Sequence, residues 1–425
     1  MKEMTDAVLK LVKENSVPAL GCTEPVAVAY AGAAANKYFK GDVNDIEILV
    51  SKNIYKNGKS VIIPGTGEAG LALAGSLGFV GGNSDNGFMV LKDINGDHIK
   101  SAKSLLNENK VKLGIKEGTP DIYIDFIVKG KEEVVETIVQ DGHTNLVRVS
   151  VNNKDIYNNP VSNEIASSDD ILNQLDFRTM RKITEEIDLK DIEFIKLGIE
   201  KNVKAAKEGL KNNYGLKIGI SLKKLEQEGL LKVDAPRKAR MMTAAAADMR
   251  MGGGNCEIAT SGGSGNQGIG ITLPIMIVAR ELGISENKMI RAAFLGNLVN
   301  CYIKEFAGKL SGMCGCAIGA GIGATAGITW MLDGSDKQIE GACSNMFANI
   351  SGMICDGAKG SCALKLSTSA EEAVLSAFLA LKGTIATPNV GIIGSDIQET
   401  IRNIGYLSHK AFTTVDDVIV NIMNK

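Results

Sequence analysis

Apolar positions change their period twice along this chain. Up to Asn15 they recur at helical spacing (Met4, Val8, Leu11, Val12) among charged residues. Thr23-Glu24-Pro25 then reads as a helix start, with Thr23 as N-cap and Pro25 in the first turn, ahead of a small-residue run from Val26 to Ala35. From Asp45 to about Asn153 the period falls to two: Ile46, Ile48 and Val50 alternate, as do Ile122, Ile124, Phe126 and Val128, and then Val147, Val149 and Val151. Turn signals such as Asn95-Gly96-Asp97 separate these runs. From about Ser168 the helical period returns and holds to the C-terminus. Candidate helices cover residues 169–175, 180–210, 235–251, 285–306, 317–332, 337–353 and 370–382.

The pattern predicts an α+β fold. Residues 41–165 form a β-rich N-terminal domain with a mostly antiparallel sheet, and residues 166–425 form a predominantly helical C-terminal domain. Residues 1–40 are expected to dock on the helices. Alanine and glycine are abundant in the helical part, so its helices should pack closely. Gly315, Gly319, Gly323 and Gly327 recur every four residues, along one side of a helix. In a membrane this ridge would mark helix dimerisation. The stretch from Cys314 to Leu332 is mostly Gly and Ala, however, so lipid would gain little from it, and close approach of another backbone is the better reading.

Composition narrows the partners. Hydrophobic residues make up 44% and charged residues 23% of the 425, the balance of a globular protein with a substantial core. The formal net charge is −2, and no basic stripe exists to neutralise phosphates, so nucleic acid is not an expected partner. A small molecule is. The N-terminus lacks the unbroken apolar run of a secretory signal, so a reducing cytoplasm is the expected location. Clustered cysteines there point to metal, catalysis or packing rather than disulfides. Seven of the eight cysteines lie from Cys256 onward.

Four segments carry candidate chemistry. In Leu20-Gly21-Cys22-Thr23-Glu24-Pro25 a thiol precedes a helix N-terminus, whose dipole would lower its pKa; a buried cysteine under a helix cap is an equal reading. In Ser261-Gly262-Gly263-Ser264-Gly265-Asn266-Gln267-Gly268, glycines and a following helix favour an anion such as a carboxylate or phosphate, with Ser264, Asn266 and Gln267 as further donors. In Cys355-Asp356-Gly357-Ala358-Lys359-Gly360-Ser361-Cys362, two thiols flank a short loop, and Cys314 and Cys316 lie upstream. Thiolates suit zinc or an iron–sulfur cluster, although spacing alone favours small hydrophobes in a helical core. Asn53-Ile54-Tyr55-Lys56-Asn57, followed by Pro64-Gly65-Thr66-Gly67, fits a pocket wall or a solvated strand end equally. His98 and His143 read as turn residues, although His143 also stands where it could face a site. His409 lies in a mixed polar stretch.

Taken together and in this order, the segments from Ala19 to Pro25, from Asn53 to Gly67, from Gly263 to Gly268 and from Cys355 to Lys365 resemble the L-cysteine desulfidase family, relatives of iron–sulfur L-serine dehydratases. The likeness covers nearly the whole chain. It implies a [4Fe–4S] cluster on three cysteines and no pyridoxal phosphate. By the resemblance Cys355, Cys362 and Cys314 (or Cys316 in place of Cys314) are the ligands, and Cys22 is the catalytic base. Ser264, Gly265, Asn266, Gln267, Asn53 and Lys56 would bind the substrate. The implied activity is breakdown of L-cysteine to sulfide, ammonia and pyruvate. Action on L-serine or a related small amino acid is the neighbouring alternative, and an amino-acid-binding protein without catalysis is a third. A homo-oligomer is compatible with all three. The chain departs from the family at Thr260-Ser261-Gly262, where relatives commonly carry Asn just before the Gly-Ser-Gly-Asn-Gln-Gly core.

Overall fold

The computed structural model describes residues 2–159 and 175–425. The candidate helix at 169–175 and the expected boundary at 165 lie almost wholly outside them. The first element, α1 (Lys2–Asn15), buries Val8 and Val12 and packs against the later helix α11 (Glu286–Ala307). Strand β1 (Pro18–Ala19) follows and pairs antiparallel with β8 (Ile258–Ala259), tying the N-terminal segment to the helical part.

Helix α2 (Thr23–Asn36) is buried almost all round. Its N-cap is Cys22, one residue earlier than expected; Cys22 has extended backbone and makes no side-chain cap bond. Ala-rich α2 packs chiefly on α4 (Leu71–Gly81), which follows the short α3 (Lys52–Gly58), and on the sheet, with only its N-terminus turned to the helical part. Small residues permit this. A methyl group at Gly32 would overlap the Gly75 carbonyl, and one at Gly78 would overlap Ala29, so the two backbones nearly touch.

The sheet has order β3-β2-β4-β5-β6-β7, with β2 Asp45–Val50, β3 Val111–Ile115, β4 Tyr123–Lys129, β5 Val134–Gln140, β6 Leu146–Val151 and β7 Lys154–Asn158. Only the β2–β3 pair is parallel. Ile46, Ile48 and Val50 point to one buried face beside Ile124, Phe126 and Val128, as period-two alternation requires. Asn95-Gly96-Asp97 is not a strand-separating turn. Asn95 caps α5 (Gly96–Asn107) and forms a capping box with His98, a polar pattern that serves a helix start as readily as a turn.

In the helical part, the single run expected at 180–210 is two helices, α6 (Phe177–Glu186) and α7 (Glu193–Gly209). Then come α8 (Ile218–Gln227), α9 (Ala235–Met251), α10 (Gly265–Glu281) and α11. The run expected from 317 begins with a π-helical turn, Cys316–Gly321, before α12 (Ile322–Met331). Helices α13 (Asp336–Ile350), α14 (Cys362–Leu381), α15 (Ile397–Lys410) and α16 (Phe412–Met423) complete the chain.

The glycine ridge divides its work. Methyl groups at Gly323 and Gly327 would strike the Gly296 and Ala292 carbonyls of α11, the close backbone approach read from the sequence. At Gly315 and Gly319 they would strike the side chains of Gln267 and Asn300, so these two positions make room for polar groups instead. No helix among the described residues is long and apolar enough to cross a membrane.

Candidate active site

The N-terminus of α2, the N-terminus of α10, the C-terminal turn of α9 and the segment leading into the π-helical turn meet around one cavity of about 100 Å³. The α10 entry is built by a tight turn. Ser261 and Ser264 exchange backbone hydrogen bonds of 3.0 and 2.9 Å, and Gly262 and Gly263 both take positive φ (53° and 73°) between them. Two consecutive positive-φ residues are costly for anything larger than glycine or asparagine. The first turn of α10 therefore presents backbone N–H groups with no intrahelical partner beside Ser264, Asn266 and Gln267, all three lining the cavity. Ser264 is the N-cap but makes no side-chain cap bond.

Opposite lies Cys22. Its Sγ donates to Glu24 Oε2 at 3.0 Å. The same carboxylate accepts from Thr23 Oγ1 at 3.2 Å, and its Oε1 accepts from Asn57 Nδ2 at 3.2 Å. The expected lowering of the Cys22 pKa by the helix dipole does not prevail. Burial, and next the Glu24 charge, push the thiol well above its ordinary range, with Arg250 pulling the other way. For Glu24, burial acts upward, but the His143 imidazole, the Cys22 thiol and Arg250 outweigh it and hold the carboxyl below its usual value. The ground state is thus a neutral thiol on a carboxylate.

His143 does lie in the turn between β5 and β6, but the turn is buried there. The residue is 8% exposed, its ring lies tilted against that of Phe88, and burial takes its pKa down to about 4 against the opposing pull of Glu24. Lys304 lines the cavity beside it; burial lowers its pKa to about 8, and its Nζ donates to the Gly262 carbonyl at 2.5 Å. Both side chains also border a wider concavity of about 570 Å³ next door.

The cysteine wall comes from three chain segments. Cys314 N donates to Met353 O at 2.8 Å and Cys355 N donates to Gly312 O at 2.7 Å, a short antiparallel pairing that sets these two residues side by side. Cys316 opens the π-helical turn and Cys362 opens α14, and all four thiols line the cavity. Cys314 and Cys316 share a hydrogen bond. It holds Cys314 down to about 7 and drives Cys316 up. Cys355 is pushed up to about 12 by burial, and the loop ahead of Cys362 is pinned by Asp356 pairing with Lys359 and Lys365. Among the described residues no three Cys, His, Asp or Glu side chains are close enough to hold a single metal ion. The four thiols border a shared space instead, a soft-donor set suited to an iron–sulfur group larger than one ion.

Two expected substrate contacts lie elsewhere. Asn53 Nδ2 donates to Asp121 Oδ1 at 3.1 Å at a separate surface concavity. Lys56 is fully buried and paired with Asp416, while its carbonyl lies where a methyl group on Gly357 (φ 90°) would have to go. It braces the cysteine loop rather than facing the cavity. Their near neighbour Asn57 does line it.

Sequence reasoning did not single out Glu24, Arg250, Lys304 or Asn300 as site residues. Asn300 Nδ2 bridges Ser261 Oγ and Gln267 Oε1, both at 3.0 Å. Arg250 offered a signal: with Asp248 it is one of two charges that follow an alanine run at the end of α9, just before Gly252-Gly253-Gly254. Its Nη1 donates to Asn266 Oδ1 at 3.0 Å.

Comparison with known proteins meets this geometry from the other side. The family described as serine dehydratase alpha chain matches residues 88–421, which hold the α10 entry and all four wall cysteines. A UPF0597 protein of Clostridium botulinum (strain Langeland) is 48% identical over 425 residues, 100% of this chain and 98% of the relative. UPF0597 proteins of Clostridioides difficile (strain 630) and Alkaliphilus oremlandii are 38% and 39% identical, covering 98% and 99% of this chain and 99% and 98% of the relatives. A match that spans most of the chain and takes in the whole thiol wall makes this protein a member of the serine dehydratase alpha chain family.

Proposed function

We propose that this protein is an iron–sulfur-dependent lyase that converts L-cysteine and water to sulfide, ammonia and pyruvate by β-elimination. One observation carries the reading: four thiols border the same cavity as the Cys22–Glu24 pair and the open first turn of α10. Cys314, Cys355 and Cys362 would hold a [4Fe–4S] cluster, with Cys316 the alternative to Cys314. Three protein thiolates would leave one iron open, and such an iron supplies a Lewis acid for a β-thiol or β-hydroxyl.

The protein's own groups do the remaining work. The N–H groups at the start of α10, with Ser264, Asn266 and Gln267, orient the amino-acid carboxylate. Cys22 takes the α-proton as a thiolate after passing its own proton to Glu24, which already accepts it in a hydrogen bond. Asn57 and Thr23 fix the Glu24 carboxylate for that transfer. The aminoacrylate released by elimination hydrolyses to pyruvate and ammonia.

L-Serine dehydration is the second reading, favoured by the family's description. The geometry of the proton transfer serves both, because only the leaving group differs. Rates on L-cysteine and L-serine, measured side by side on anaerobically reconstituted protein, test the assignment. Higher kcat/KM on L-cysteine is expected; the reverse order makes this a dehydratase.

A further inference from the structure

Arg250 is 2% exposed and lines the active-site cavity. Among the described residues it forms no ion pair: Nη1 donates to Asn266, while Nε and Nη2 have no hydrogen-bond partner. A buried guanidinium left this way is expensive, because desolvation removes water from a fixed charge and nothing returns the lost hydrogen bonds. The two orphaned atoms are not a random pair. Nε and Nη2 share one edge of the planar guanidinium, the edge that takes a carboxylate side-on through two parallel N–H···O bonds.

Gly265, the first residue of α10, is shaped around this group. A methyl group there would stand 2.4 Å from Arg250 Nε and 2.7 Å from Cζ. Asn266 holds the third nitrogen and so fixes the plane of the fork.

We propose that Arg250 joins the first turn of α10 in binding the carboxylate and receives the α-carboxylate of a small amino acid on its Nε–Nη2 edge. The lyase reading supplies only the amino-acid identity of the ligand; the seat itself selects small carboxylates. It makes an amine of the same size without a carboxylate a poor ligand.

Equilibrium titration of the full chain tests this with L-alanine, which carries the carboxylate and no leaving group, and with ethylamine, which lacks the carboxylate. L-Alanine should bind and ethylamine should bind far more weakly. Arg250→Gln should weaken L-alanine by about 30-fold or more while leaving ethylamine alone. Its unliganded Tm should hold or rise, since an unpaired buried charge has gone; a merely structural arginine would instead lower Tm. Gly265→Ala, which displaces the guanidinium, should weaken L-alanine in the same direction. Binding of L-alanine within threefold of wild type in Arg250→Gln would overturn the proposal, as would equal binding of L-alanine and ethylamine by the wild type. If L-alanine binding depends on Arg250 but neither L-cysteine nor L-serine yields pyruvate, the carboxylate seat stands and the lyase reading falls. If pyruvate forms and Arg250→Gln changes neither L-alanine binding nor KM, the reverse holds.

Discussion

Cys22 Sγ stands 3.0 Å from Glu24 Oε2, two residues apart across the first turn of one helix. A helix N-cap usually accepts a bond from the helix backbone, but this thiol turns instead to a carboxylate held by Thr23 and Asn57. The proton of the thiol already lies on the path to an acceptor, and the lowered pKa of that carboxylate keeps the proton on sulfur at rest. Thiol and carboxylate therefore act as one unit, and removing either should have similar consequences.

Cys22→Ala should lower kcat by about 100-fold or more, in the range that general-base groups contribute, and Glu24→Gln should fall in the same range. The double variant should lose little beyond the worse single one, since coupled groups are not additive. Pyruvate formation under anaerobic conditions reads this out. Full turnover in Cys22→Ser removes Cys22 from the mechanism.

Acid should weaken the fold through His143. The unfolded imidazole binds a proton below about 6.5, whereas the buried one binds only below about 4. Between those values the unfolded state holds more protons, so stability falls as pH drops through the window, by about 3 kcal/mol across it. Urea denaturation at pH 7 and pH 4.5 should show a loss in wild type that is smaller in His143→Gln. Equal losses would mean that the imidazole is not buried neutral.

Replacing Cys355 or Cys362 by Ser should reduce bound iron after reconstitution well below about four per chain. The pair Cys314 and Cys316 should respond unequally. Cys314→Ser is expected to lose iron and Cys316→Ser to retain it, because the backbone pairing of the two segments sets Cys314 beside Cys355. Iron analysis with cluster absorbance decides; the opposite order makes Cys316 the ligand.

Lys56→Met should act on stability. Its partner Asp416 would be left without the buried ammonium, a loss of about 3 kcal/mol. Chemical denaturation measures this, and KM should change little if refolded variant is assayed. A raised KM at unchanged stability would return Lys56 to the substrate site.

The alternation of Ile46, Ile48 and Val50 and the Ala-rich run of α9 were legible because burial on one face, or all round, leaves a direct period in the chain. The α10 entry was equally legible, since two positive-φ glycines and a following helix leave few alternatives. The break between α6 and α7 was not: Ile187, Leu189 and Ile192 keep apolar spacing through a turn, and all three pack into the core. The π-helical turn at Cys316–Gly321 was hidden for the same reason, because small residues satisfy either helical geometry. Arg250 escaped notice, and His143 read first as a turn residue, because their importance lies in burial: a charge near a helix end or a histidine after glycine reads as surface until the fold encloses it. Asn53 and Lys56 were misplaced by the opposite effect. Polar residues beside a Gly/Pro turn resemble a site, yet here they satisfy Asp121 and Asp416.

The central claim is that the thiol wall and the Cys22–Glu24 pair serve one reaction. Its most direct test is sulfide and pyruvate release from L-cysteine by protein reconstituted with iron and sulfide without oxygen. The account predicts about four irons per chain and equal amounts of sulfide and pyruvate, both abolished by Cys355→Ser. Bound iron with no pyruvate from either L-cysteine or L-serine, or pyruvate formed at full rate by iron-free protein, would contradict it.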